Sequence, residues 1–329
     1  MIKGFVFGKF LPFHTGHEAM IKFAAQQCDE LTVLVCCSDR ETVSYQVRVG
    51  WLRKTFTASH CIKIVGYNYV EDKLPNSSVA SMRISELWAA EFSKLLPDHT
   101  VLITSEPYGD MVAGFMGIKH IPFDPERKLF PVSASAINNN IVANWQYLPA
   151  AVRPDYAIKV IIAGTESTGK TTLATQLSEH YNCSIVTEAG RDVIADSTAF
   201  EYDDLYTVAH QHADGIADAT SGNSPLVIMD TDIHITMSYA QFMFRKQLNV
   251  DGYIYELNKG ALYLYLNNDV PHVQDGTRLE EAERNALDSS HRQVFTANNI
   301  ELVEIKGSWD ERLARATQAI DDLLKAYTM

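Results

Sequence analysis

The chain is poor in cysteine, has no long apolar run and lacks an excess of positive charge, and each shortage removes a class of function. Five cysteines (Cys28, Cys36, Cys37, Cys61 and Cys183) are spread over 329 residues with no CxxC pair. An odd number without paired spacing argues against a disulfide frame or a zinc site and for reduced thiols in the cytoplasm. No stretch of 18 apolar residues occurs, which excludes a membrane-spanning helix. Met1-Ile2-Lys3-Gly4 runs straight into strand-like sequence, without the small-residue cleavage site of a signal peptide. Lysine and arginine total 28 against 41 acidic residues, a net charge of −13. Residues 1–152 carry 14 charges of each sign, whereas residues 153–329 carry 14 basic and 27 acidic ones. Neither half offers the broad basic surface that non-specific nucleic-acid binding needs, so DNA is not an expected partner. Local phosphate sites survive this exclusion, because they depend on a few amides and cations. Low-complexity segments and fixed-period repeats are also missing.

What is present is globular: 46% of residues are hydrophobic and 21% charged, and the length suggests about two domains. Two buried-strand patterns each feed a glycine turn and then a helix, Ile2-Lys3-Gly4-Phe5-Val6-Phe7-Gly8 and Ala157-Ile158-Lys159-Val160-Ile161-Ile162-Ala163-Gly164. Further strands are expected at 31–37, 101–104, 184–187, 226–229 and 261–266, with helices at 83–95 and 310–324. Alternating β and α elements imply parallel sheets covered by helices. Because the pattern starts twice, the expected fold is α/β, two doubly wound parallel-sheet domains. The two-proline connector Leu148-Pro149-Ala150-Ala151-Val152-Arg153-Pro154 places their boundary, giving 1–152 and 153–329. The composition leaves a homo-oligomer open.

The first candidate site is Gly8-Lys9-Phe10-Leu11-Pro12-Phe13-His14-Thr15-Gly16-His17. Here a strand ends, a loop crosses it, and HxGH opens a helix whose free amides favour phosphate. His14 and His17, three apart, can face one polyanion, and Lys9 adds a flexible cation. Such a set suits nucleotidyl transfer, which needs alignment and charge neutralisation rather than a protein nucleophile. The motif and its setting resemble the nucleotidyltransferase superfamily with the HxGH signature. The likeness continues to Val132-Ser133-Ala134-Ser135-Ala136-Ile137-Asn138, where the family has a serine turn that holds ATP phosphates and where Asn138 replaces the family's arginine.

The second site, Gly164-Thr165-Glu166-Ser167-Thr168-Gly169-Lys170-Thr171, is a full GxxxxGK[ST] P-loop between a strand and a helix, followed by Thr172. Its amides are expected to cradle ATP phosphates, Lys170 to reach the β/γ oxygens and Thr171 to ligate Mg²⁺. Asp230, at the end of Leu226-Val227-Ile228-Met229-Asp230, is the expected second metal-side residue. Asp232 either assists or caps the following helix. Glu188 and Arg191 either position an acceptor hydroxyl and a phosphate or form a surface ion pair. Arg278, in the polar segment 271–278, is a candidate to close over the γ-phosphate, with Arg284 and Arg292 downstream. His210-x-His212-x-Asp214 is read as a solvated helix rather than a metal site, and Cys36-Cys37 as core strand.

Taken together, the two motifs in one chain resemble the bifunctional nicotinamide-nucleotide adenylyltransferase/ribosylnicotinamide kinase family (NadR type), from about residue 2 to residue 310. The resemblance includes Thr104-Ser105-Glu106-Pro107-Tyr108-Gly109, Asp124 to Arg127, the Glu166-Ser167 variant of the P-loop, Asp230-Thr231-Asp232 and Gln274-Asp275-Gly276-Thr277-Arg278, of which Ser105 to Gly109 and the P-loop variant are more family-specific than either general motif. Some members carry an N-terminal helix-turn-helix domain; a transferase strand starting at residue 2 leads us to expect none. The resemblance implies that the second domain phosphorylates nicotinamide riboside with MgATP to the mononucleotide NMN. The first would then join NMN to AMP from a second ATP, giving NAD and pyrophosphate. His14, His17, Lys9, Ser133 and Ser135, with Gly8 and Phe10, would hold the first triphosphate, and Gly164 to Thr172 the second. Glu188 or Asp230 would accept the hydroxyl proton, while Arg191 and Arg278 neutralise transferred charge. The alternative is a kinase whose first domain binds nucleotide as a sensor without turning over, a reading that Asn138 motivates.

Overall fold

The computed structural model describes residues 1–76, 81–194, 200–270 and 279–328, without the side chains of Arg191 and Asp192. It divides into two compact units, Met1–Val152 and Arg153–Met329. The first contains β1 (Lys3–Gly8), α1 (Thr15–Ala25), β2 (Glu30–Ser38), α2 (Tyr45–Thr55), β3 (Ile62–Tyr69), α3 (Met82–Leu95), β4 (Val101–Thr104), α4 (Gly109–Met116), β5 (Lys119–Pro122) and α5 (Ala134–Asn139). Its strands lie in the order β3-β2-β1-β4-β5, all parallel. A nearly continuous apolar run, Glu30 to Ser38, makes β2 a strand buried on both faces. Phe5, Leu34, Trp88, Phe92 and Leu102 form the core under α3 and α4.

In the second unit lie β6 (Ile158–Gly164), α6 (Lys170–Tyr181), β7 (Ser184–Val186), α7 (Gly190–Val193), α8 (Asp204–Thr220), β8 (Leu226–Asp230), α9 (Ile233–Phe244), α10 (Gly252–Asn258), β9 (Leu262–Leu266), α11 (Glu281–Ala297), β10 (Val303–Ile305) and α12 (Trp309–Ala326). This sheet is also parallel, in the order β10-β9-β6-β8-β7. Each sheet therefore has its first strand at the centre, flanked by strands reached in opposite directions. A crevice opens outside the carboxyl end of that strand, the place where such sheets bind ligands. Among the described residues no helix is long and apolar enough to cross a membrane, and all five cysteines are free. Cys36 and Cys37 are buried in β2, as read from the sequence, and burial raises both thiol pKa values.

Candidate active sites

In the first unit β1 delivers Gly8 and Lys9 to the crevice, and α1 begins at Thr15. His14 is the N-cap of α1: its Nδ1 accepts from the His17 amide at 3.4 Å. The proton of neutral His14 therefore sits on Nε2, which is left to donate. The two imidazoles stack, centroids 3.6 Å apart, and His17 packs edge-on to the buried Phe10 at 5.0 Å. Phe10 thus braces His17 with its side chain. Burial, helped by the nearby Arg127 guanidinium, pulls His14 down to about 4. Burial, with His14 and Arg127, holds His17 well below the usual imidazole range. Both rings are neutral at pH 7 and offer hydrogen bonds without burying a charge.

Two residues that the motif reading passed over organise this loop. Arg48 on α2 is 1% exposed and donates to the Lys9 carbonyl (3.0 Å), the Val43 carbonyl (2.9 Å) and Glu41 Oε2 (2.6 Å). Glu41 in turn holds Lys9 Nζ at 2.9 Å. The signal was available: Arg48 shares the buried stripe of α2 with Trp51 and Leu52, at spacings of three and four. Ser133 caps α5 by accepting from the Ala136 amide at 3.1 Å, while Ser135 is exposed in its first turn. Asn138 donates to the Leu11 carbonyl at 3.3 Å. Arg127, paired with Glu106 at 2.9 Å, is the guanidinium that lies beside the histidines.

In the second unit β6 ends at Gly164, whose φ of +140° and approach to Leu266 exclude a side chain: a Cβ would stand 2.7 Å from the Leu266 carbonyl oxygen. The loop then turns back to Gly169, also at positive φ, the N-cap of α6. Thr168 Oγ1 (2.8 Å) and Lys170 Nζ (3.0 Å) both donate to the Thr165 carbonyl, which closes the loop around its own amides. Glu166 accepts from Tyr239 Oη (3.1 Å) and the Leu279 amide (3.3 Å). Thr171 Oγ1 donates to Asp230 Oδ2 at 2.6 Å, so the two expected metal-side groups meet. Ser167 stands at φ 59° within the loop, and Thr172 is exposed on α6. Glu188 lies two residues beyond β7 at the same carboxyl edge, partly exposed. The position of Arg278, with 271–278, and the side chain of Arg191 lie outside the described residues. Asp232 is a helix cap: its Oδ1 accepts from the His234 and Ile235 amides, and its Oδ2 meets His234 Nδ1 at 2.5 Å.

One expectation is corrected. His212 is not on a solvated face: it is 5% exposed, its Nδ1 lies 3.0 Å from Asn258 Oδ1, and burial lowers its proton affinity. Helix α8 is amphipathic, with Leu205, Val208, Ala209 and Ile216 on the same buried stripe, while His210 and Asp214 face solvent. Among the described residues no cluster of His, Cys, Asp and Glu could hold a metal ion by itself.

A family model described as AAA domain matches residues 159–312. The chain is 29% identical to the trifunctional NAD biosynthesis/regulator protein NadR of Salmonella typhimurium, over 98% of this chain and 83% of that protein. Identity to the Escherichia coli protein of the same description is 28% with the same coverage. Nicotinamide-nucleotide adenylyltransferase of Methanocorpusculum labreanum is 28% identical over 32% of this chain and 60% of its own length, in the N-terminal part. A crystal structure of NadR protein in complex with NR superposes with a TM-score of 0.73 at 22% identity, covering 99% of this chain and 96% of that one, which establishes the fold. Over 98% of its length, therefore, this chain is similar to the NadR proteins, and the similarity takes in both the HxGH motif of its first unit and the P-loop of its second.

Proposed function

We propose that the unit Arg153–Met329 transfers the γ-phosphoryl group of ATP to the 5′-hydroxyl of nicotinamide riboside, and that the unit Met1–Val152 then adenylylates the resulting NMN. In the second step an NMN phosphate oxygen attacks the α-phosphorus of a second ATP, the α–β bridge breaks, and pyrophosphate leaves with NAD formed. The observation that carries the proposal is the likeness of nearly the whole chain to NadR, with both nucleotide motifs in the same order.

The residues supply what phosphoryl transfer asks of a protein, position and charge. Thr171 and Asp230 are hard oxygen donors 2.6 Å apart, a donor set that fits Mg²⁺. Magnesium bound there would neutralise charge between the β- and γ-phosphates. Lys170, 6% exposed beneath the cradle, is placed to exchange the Thr165 carbonyl for phosphate oxygens. Glu188 is better suited than Asp230 to accept the hydroxyl proton, since Asp230 is 1% exposed and bound to Thr171. Arg191 and Arg278 complete the charge neutralisation in this reading. In the first unit His14 Nε2–H, His17 and Lys9 steady the triphosphate, and Arg127 supplies the guanidinium that Asn138 does not. Free thiols and the absence of a membrane-crossing helix among the described residues fit a cytoplasmic enzyme.

The test is to supply nicotinamide riboside and NMN separately, each with MgATP, and follow products. NMN from the riboside and NAD from NMN are expected, the former lost in Lys170→Ala and the latter in His17→Ala. Products that stop at NMN would leave the first unit as a sensor and refute the second half of the proposal.

A further inference from the structure

Beside the phosphate cradle stands an aromatic residue that the reaction described above does not use. Trp309, the first residue of α12, is 53% exposed. Its six-membered ring occupies the space a side chain at Gly169 would need, with Cη2 2.5 Å from an ideal Cβ there. The indole therefore rests on the backbone of the P-loop's last turn, and glycine at 169 is what admits it. Its position is fixed from beneath. The Arg312 guanidinium lies over the ring, 5.3 Å from the centroid. Arg312 is itself 1% exposed and donates to the carbonyls of Thr168 (2.9 Å), Gly307 (2.9 Å) and Asn267 (3.1 Å), and to Asp269. One side chain thus ties the P-loop, the turn before α12 and the end of β9 together. A capping box completes the support: Ser308 Oγ accepts from the Glu311 amide, and Glu311 Oε2 accepts from the Ser308 amide at 2.8 Å.

A tryptophan used only to cover Gly169 would gain most by burial, yet half of this one faces solvent at the rim of the cradle. Rigid placement with an open aromatic surface is what a planar base requires, because stacking rewards a surface whose orientation costs nothing to fix. Phosphates held by residues 164–171 leave the base of their nucleotide outside the cradle, where only its rim can receive it. We infer that Trp309 is the stacking platform for the purine base of the nucleoside triphosphate bound by the P-loop, held ready by Arg312. The inference rests on the proposed nucleotide-binding role of residues 164–171 and adds the residue that recognises the base.

Trp309 is the one tryptophan of residues 153–329, since Trp51, Trp88 and Trp145 lie in the other unit. Titrating the full chain with MgADP while recording tryptophan fluorescence, in parallel with Trp309→Phe, isolates its signal. The expected result is a fluorescence change that Trp309→Phe lacks and that magnesium tripolyphosphate, which fills a cradle without supplying a base, does not reproduce. Trp309→Ala should raise the KM for ATP in riboside phosphorylation roughly 5- to 100-fold, with kcat little changed, as for loss of one stacked base. Trp309→Phe should recover most of that loss. A native KM in folded Trp309→Ala, or the same fluorescence change in Trp309→Phe, would overturn the inference; if Trp309→Ala does not fold, the fluorescence comparison decides alone. Failure of the kinase reading looks different: the riboside stays unphosphorylated while the MgADP signal from Trp309 persists.

Discussion

Replacing Arg48 with methionine is predicted to destabilise the first unit severely, although Arg48 belongs to no motif. The guanidinium is buried and joins three groups: the Lys9 carbonyl, the Val43 carbonyl and Glu41, whose side chain is only 9% exposed. Methionine of similar length fills the space but leaves the Glu41 carboxylate with only Lys9 and the Ser38 amide, and two carbonyls without their donor. Breaking a buried ion pair by removing one partner costs about 3–5 kcal/mol. In a unit of this size each kcal/mol lowers Tm by about 2–4 °C, so a fall of roughly 6–20 °C is expected. Calorimetry of the intact chain measures it. Adding Glu41→Gln to Arg48→Met removes the stranded charge and should restore more than half of the loss. A single variant that melts with the native protein would show that Arg48 does not hold the Lys9 loop, and the positional argument for Lys9 would go with it.

Other expectations concern the two sites directly. Lys170→Ala should lower riboside phosphorylation by about 10²–10³-fold, the scale for losing one preorganised charge-stabilising donor, while adenylylation of supplied NMN continues. His14→Ala should do the reverse, and should also cost about 1 kcal/mol of stability through the lost N-cap of α1, read from the urea midpoint. Stability should depend on pH in the acid range. His14 titrates near 4 when folded and near 6.5 when unfolded, so the unfolded chain binds the extra proton between those values. Its contribution is complete above 6.5 and lost as pH falls toward 4, about 2 kcal/mol between pH 7 and pH 5. His14→Gln should flatten that part of the urea-midpoint profile; an unchanged slope would assign the dependence to other histidines.

The parts of this molecule that could be read from sequence are those where one local pattern decides the structure. Buried central strands such as β1, β2, β6 and β8 are runs of apolar residues, and the P-loop and HxGH turns announce themselves by glycine and histidine spacing. Edge strands were harder: β3 alternates exposure, and β5 is the four residues Lys119 to Pro122, so neither carries a buried run. The polar core was missed for a related reason. Arg48, His291 and Arg312, which a motif search passes over, lie on the apolar stripes of their helices, as do His212 and Arg284, which were read only as members of polar segments. Arg312 shares its stripe with Ala316 and Ile320 at spacings of four and eight. A charged residue in phase with the buried face is the signal, because burial requires that it hold something in place. What it holds depends on long-range packing, as between Arg312 and Thr168, 144 residues apart.

That one chain spends two ATP molecules on a single riboside is open to a direct label test. Nicotinamide riboside with ATP labelled at the γ-phosphorus should yield NAD whose label, after cleavage of the pyrophosphate bridge, is found in NMN alone. ATP labelled at the α-phosphorus should place it in AMP alone. Unlabelled dinucleotide from the γ-labelled reaction, or no dinucleotide from the α-labelled one, would contradict the account.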